Sequence, residues 1–186
     1  MKRLVFFPSA LMAILLLTNA CSSTPNSFGQ PMSAVEVLNA AKRVADSGKI
    51  SDPVLTGRTL QFDVAAITSE PTTTPDGRAR AHSTRYSLGK FSSNYRADGF
   101  SYYTFQPAAE GFYGTRLEIS FSESICIEKD NVTKLLFPLQ TAAFSNPSKS
   151  LLNYTSHANT SVMIDFSGPS KCAAGLILYQ SALRRF

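Results

Sequence analysis

The stretch TRLEISFSESICIE, residues 115–128, decides the fold. Leu117, Ile119 and Phe121 recur at every second position, and Ile125 and Ile127 resume the series after Glu123 interrupts it. Successive side chains of a strand point to opposite faces, so this spacing makes one face apolar and leaves serines prominent on the other. One face on a core and one in water is the ordinary condition of an antiparallel sheet. The break at Glu123 predicts a bulge or bend at Ser122–Ser124.

Working outward, the same period recurs in Thr59–Ile67 through Leu60, Phe62 and Val64, and in Ser161–Phe166 through Val162, Ile164 and Phe166. Arg80–Leu88 follows the turn-forming Pro75-Asp76-Gly77, and Gly99–Gln106 (GFSYYTFQ) is aromatic throughout. Gly175–Gln180 reads as a last strand, with a terminal helix as the alternative. Pro138 interrupts any helix over Lys134–Phe144. A single strong helix signal precedes all of these. Ser33 with Glu36 three residues later forms a capping box, Val37, Leu38, Ala41, Val44 and Ala45 follow at helical spacing, and Gly48 is a natural stop. The expectation is an α+β fold in a single domain over residues 33–186: one N-terminal amphipathic helix, Ala34–Ser47, followed by a mostly antiparallel β-sheet.

Ahead of that domain the chain opens Met1-Lys2-Arg3, and an apolar run of about 14 residues spans Leu4–Leu17. A membrane-spanning helix needs about 20 apolar residues. The run is too short for that and its basic front suits an export signal, so residues 1–20 read as a signal peptide and no transmembrane helix is expected in the mature chain. Leu17-Thr18-Asn19-Ala20-Cys21 resembles the lipobox of bacterial lipoprotein precursors, with Thr18 where that family usually has Leu, Val or Ile. The resemblance implies cleavage before Cys21 and covalent lipid on its thiol, with no other cofactor. Because Ser22 rather than Asp follows, it also implies an outer-membrane, periplasm-facing location. Residues 21–32, rich in Ser, Pro and Gly, read as the lipidated cysteine and a flexible tether. The chain has three cysteines. With Cys21 lipidated, Cys126 and Cys172 remain as an even pair, which an oxidising compartment favours as a disulfide.

Charge excludes one partner class. After position 20 there are sixteen basic and thirteen acidic residues, net +3, without a run of five like charges. Nothing there points to nucleic acid. Catalytic constellations are also missing from the sequence. Gly168-Pro169-Ser170-Lys171-Cys172 lacks the last glycine of a nucleophile elbow, and no Walker loop occurs. His82 and His157 stand far apart without metal-ligand spacing, so no metal site is expected. Asp63, Glu118, Glu123 and Asp165 fall in or beside strands and keep a carboxylate-pair hydrolase open as an alternative.

The most unusual composition is aromatic. Nine of the twenty aromatic residues lie between Tyr86 and Tyr113. Core packing accounts for most of them, but adjacent Tyr102 and Tyr103 must point to opposite faces of a sheet. Tyr102, Tyr103, Phe112 and Tyr113 are therefore the candidate recognition surface. The expectation for function is a non-catalytic, lipid-anchored module that binds another envelope or periplasmic protein, as an envelope accessory or an inhibitor or immunity-type factor. A peptidoglycan- or glycan-binding lipoprotein is the other reading of the same aromatics.

Overall fold

The structure, a computed structural model, describes residues 30–73, 76, 79–107, 112–136, 139–141 and 150–183. The signal peptide, Cys21 and the tether as far as residue 29 lie outside the described residues. No helix among the described residues is long and apolar enough to cross a membrane.

The first helix, α1 (Ala34–Ser47), forms where its caps demand it. Ser33 Oγ accepts from the Glu36 N–H while the Glu36 carboxylate accepts from the Ser33 N–H, and the helix ends on Gly48 at φ 63°. Val37, Leu38, Ala40, Ala41, Val44 and Ala45 form its buried stripe. A second helix, α2 (Pro53–Leu60), follows at once. Asp52 caps it through Oδ1, accepting from Val54 N–H at 3.1 Å and Leu55 N–H at 3.0 Å, and Pro53 presets its first turn. This corrects the expected strand start: Thr59 and Leu60 are helical, Gln61 turns the chain at φ 59°, and the strand begins at Phe62. The strand-like spacing of Leu60, Phe62 and Val64 spans this helix–strand junction.

Among the described residues eight strands follow, with one further helix between the fourth and fifth. They are β1 (Phe62–Thr73), β2 (Ala79–Phe91), β3 (Tyr95–Pro107), β4 (Phe112–Phe121), α3 (Lys129–Leu135), β5 (Leu139–Thr141), β6 (Leu151–Thr155), β7 (Thr160–Asp165) and β8 (Gly175–Leu183). All pair antiparallel in one sheet of order β1-β2-β3-β4-β8-β7-β6-β5. Two meanders, β1–β4 and β5–β8, thus meet along the β4–β8 ladder. The α+β expectation holds, and Gly175–Gln180 takes the strand rather than the helix alternative.

The bend expected at Ser122–Ser124 ends β4. Ser122 and Ser124 hydroxyls donate to the Ser93 carbonyl at 2.6 and 3.0 Å, turning the chain out of the ladder. Ile125 and Ile127 are buried beyond it, and the chain then bridges Glu128 to Cys172. Cys126 and Cys172 are joined there, their Cα atoms 4.9 Å apart. The Lys171 ammonium lies 2.8 Å from the Glu128 carboxylate alongside, and its hydrogen bond holds that carboxyl below its ordinary pKa.

The core lies between the sheet and the helices. Leu38, Val37 and Ala41 of α1 and Val132 of α3 pack in one cluster with Phe62, Tyr102, Leu117, Ile119, Ile164, Leu176 and Leu178 of the strands. Each large apolar side chain so buried contributes about 1.5–3 kcal/mol. The start of the domain is clamped to the far end of the same layer. Asn94, itself buried, accepts from the Met32 N–H through Oδ1 and donates from Nδ2 to the Met32 carbonyl at 3.0 Å, while the Ser92 hydroxyl donates to the Gln30 carbonyl at 3.1 Å.

Candidate functional site: the open face of the sheet

Residue parity assigns the two faces of the sheet. Tyr102, Leu117, Leu178 and Val162 are register neighbours, all buried in the core cluster beneath the helices. The residues one step along each strand therefore face the other way. The next row on that outer side is Arg85, Tyr103, Arg116, Tyr179 and Ser161, paired in that order across β2, β3, β4, β8 and β7. Cationic and aromatic side chains alternate along it. Tyr103 and Tyr179 flank the Arg116 strand, which sets them about 10 Å apart at the usual strand spacing.

The two neighbouring tyrosines separate as parity requires. Tyr102 is 2% exposed, and its hydroxyl donates to the Ile50 carbonyl in the α1–α2 connection. Its ring packs against Tyr86 at 4.7 Å and edge-on to Phe62 at 6.2 Å. Burial pushes its pKa above the ordinary tyrosine value. Tyr102 is a core residue and leaves the recognition surface. Tyr103, half-buried, stays on it. Phe112 and Tyr113 pair through their backbones with Leu183 and Ala182, and their side chains lie outside the described residues.

Two aromatics on this face were not singled out from sequence. Phe105 is 37% exposed and Tyr179 36%. Each has the parity of Tyr103, and for Tyr179 the signal was available, since it alternates with Leu176 and Leu178. Arg116 pairs with Glu118 two residues along its strand. Arg85 lies with Thr68, Glu70 and Ser83 beside a shallow recess of about 420 Å³. The exposed surface is thus aromatic and cationic along one row, with hydroxyls at Ser161 and at Thr155, which lie 3.3 Å from one another.

Acidic residues gather at another level of the sheet. Asp98, Glu118 and Asp165 line an open cleft of about 320 Å³, floored by Gly99 and Gly175. Neither glycine has room for a side chain: a Cβ on Gly99 would sit 2.0 Å from Ser120 Oγ, and one on Gly175 2.7 Å from the Ile119 carbonyl. Of the four acids raised by the sequence, Glu118 and Asp165 meet here, while Asp63 and Glu123 do not line the cleft. Hydrolysis by a carboxylate pair needs a protonated acid near neutrality. Asp98 is unsuited to that, because the Arg96 guanidinium bonds both its oxygens and holds its carboxyl below the ordinary value. Glu118 is engaged by Arg116, and Asp165 accepts from the Ser167 N–H at 2.8 Å.

Elsewhere the polar groups have structural work. Asp46 accepts from Tyr154 OH at 2.7 Å and from Lys42 Nζ, tying α1 to β6. His82 bonds Ser69 Oγ at 2.9 Å across the β1–β2 hairpin. Among the described residues no three His, Cys, Asp or Glu side chains are grouped so as to hold a metal ion. No protein-family model, no curated protein and no solved structure matches this chain.

Proposed function

We propose that the chain is the precursor of a lipid-anchored protein of the outer membrane, facing the periplasm, whose domain binds another envelope or periplasmic protein without catalysis. An envelope accessory and an inhibitor or immunity-type factor both fit that description. One observation carries the binding half of the reading. Helices α1, α2 and α3 contribute to the core on one side of the sheet, and the other side carries the Arg85–Tyr103–Arg116–Tyr179 row with Phe105 beside it. Large aromatics flanked by arginine are the side chains most often found as anchors at protein interfaces. The anchoring half rests on the basic, short apolar N-terminus and Cys21.

Site-specific photo-crosslinking in intact envelopes tests the first half. A cross-linker at Tyr179 should give one discrete protein adduct, and one at Val54, exposed on α2, should give none. Equal labelling from both positions removes the open face from the proposal. Labelled palmitate should enter the wild-type chain and not Cys21→Ser. Glycan binding is the second reading, favoured by the hydroxyls of Ser161 and Thr155 on the same face as the tyrosines. Co-sedimentation with purified peptidoglycan that is lost on Tyr103→Ala and Tyr179→Ala would select it.

A further inference from the structure

On the helix-facing side, one cross-strand row breaks the apolar pattern. Thr84, Thr104, Thr115, Gln180 and Thr160 are register neighbours across five strands. The adjoining row on that face is Tyr102, Leu117, Leu178 and Val162, all in the core. Thr115 and Thr160 are 0% exposed and Gln180 5%. The Gln180 side-chain nitrogen donates to the Gly48 carbonyl at 2.9 Å and the Ala158 carbonyl at 3.4 Å. Two carbonyl acceptors fix which end of the amide carries the nitrogen, so Oε1 is the end left over. Thr115 Oγ1, Gln180 Oε1 and Thr160 Oγ1 are all buried without a hydrogen-bond partner among the described residues.

Buried polar atoms are nearly always bonded, because an unpaired one forfeits its hydration with nothing in return. Three of them on adjacent register positions describe a site rather than three separate defects. We propose that the Thr115–Gln180–Thr160 row binds small neutral hydroxyl donors, supplied by water or by a small hydroxylated solute, on either side of Gln180, because Thr115 and Thr160 stand two strands and about 10 Å apart. The chemistry of the row sets that class. Gln180 Oε1 only accepts, so the occupant must donate, while each threonine hydroxyl can do either. The row contains no charged side chain, which disfavours an ion. Thr104 and Thr84, next in the row, are half-buried and lie outside the site.

The site lies on the opposite face from the proposed recognition surface and does not depend on it. Its occupant belongs to a latch. By bonding Oε1 it holds the amide whose nitrogen seats the end of α1 at Gly48 and the β6–β7 turn at Ala158.

The test uses isosteric Thr→Val changes in the full chain, with Thr104→Val as the reference for the gain in strand propensity. If the hydroxyls bond an occupant, Thr115→Val and Thr160→Val should each melt about 2–4 °C below Thr104→Val. Equal or higher melting temperatures would mean unbonded hydroxyls and would overturn the site. Nuclear Overhauser contacts from the Gln180 side-chain amide then identify the source. Contacts to water that persist in glycerol assign the site to water, and contacts transferred to glycerol protons assign it to a hydroxylated solute. Contacts to neither would also overturn the proposal.

Discussion

At the scale of single residues, Tyr102 shows how much one position can carry. It fills the core, packs against three other aromatic rings and anchors the α1–α2 connection through Ile50. Removing its hydroxyl in Tyr102→Phe should cost about 1–2 kcal/mol in urea unfolding, since the Ile50 carbonyl loses its partner. The pH dependence has a definite sign. Burial raises the folded pKa, so the contribution is complete below the ordinary tyrosine value of about 10 and is lost as pH rises toward the folded value. Tyr95, raised by the same cause, acts in the same direction. Stability should therefore fall above about pH 10, and less steeply in Tyr102→Phe than in the wild type. The sequence required Tyr102 and Tyr103 to face apart but did not say which faced inward. That was fixed by pairing with Leu117 and Tyr86, and register between distant strands is not a local property.

At the scale of elements, legibility follows the locality of the signal. Helix α1 could be read to its ends because cap, stripe and stop all lie within sixteen residues, and the structure repeats each of them. Helix α2 carries equally local marks in Asp52, Pro53 and Gly57, but the alternation that follows it overshadowed them. Gly57 is needed there: a Cβ would lie 2.5 Å from the Phe62 carbonyl. The three-residue β5 and five-residue β6 are too short for periodicity to reveal, and they exist through pairing, β6 with β7 and β5 with β6. The two ends of α1 give the sharper prediction. Ser33→Ala should cost about 1 kcal/mol through the lost cap. Gly48→Ala should cost more, because it combines a left-handed φ with a Cβ 2.8 Å from that of Ala158. Chemical denaturation of the two variants under identical conditions checks the order.

At the scale of the whole molecule, the sheet is two meanders sewn along β4 and β8. The sequence supplied the strands and the antiparallel class but not this order, which depends on α3 carrying the chain from the end of β4 to the far edge at β5. It supplied the cysteine pair by counting, and the structure brings Cys126 and Cys172 together across a separation of 46 residues. The open-face row was legible only in part. Tyr103 was in view, while Arg85, Arg116 and Tyr179 needed the pairing of four strands, β2, β3, β4 and β8, to become its row. Cys126→Ser with Cys172→Ser should lower stability by up to about 4 kcal/mol, read as a lower denaturant midpoint.

The same seam governs the order in which the chain can assemble. Pairings within each meander join near neighbours in sequence, whereas β4 and β8 must find each other across more than fifty residues. That encounter carries the largest entropic barrier in the sheet and should limit the rate. In the oxidised chain the cross-link already holds the two approaches to the seam, so much of the search is removed before folding begins. Stopped-flow refolding should accordingly be faster for oxidised than for reduced protein, with unfolding rates much less affected.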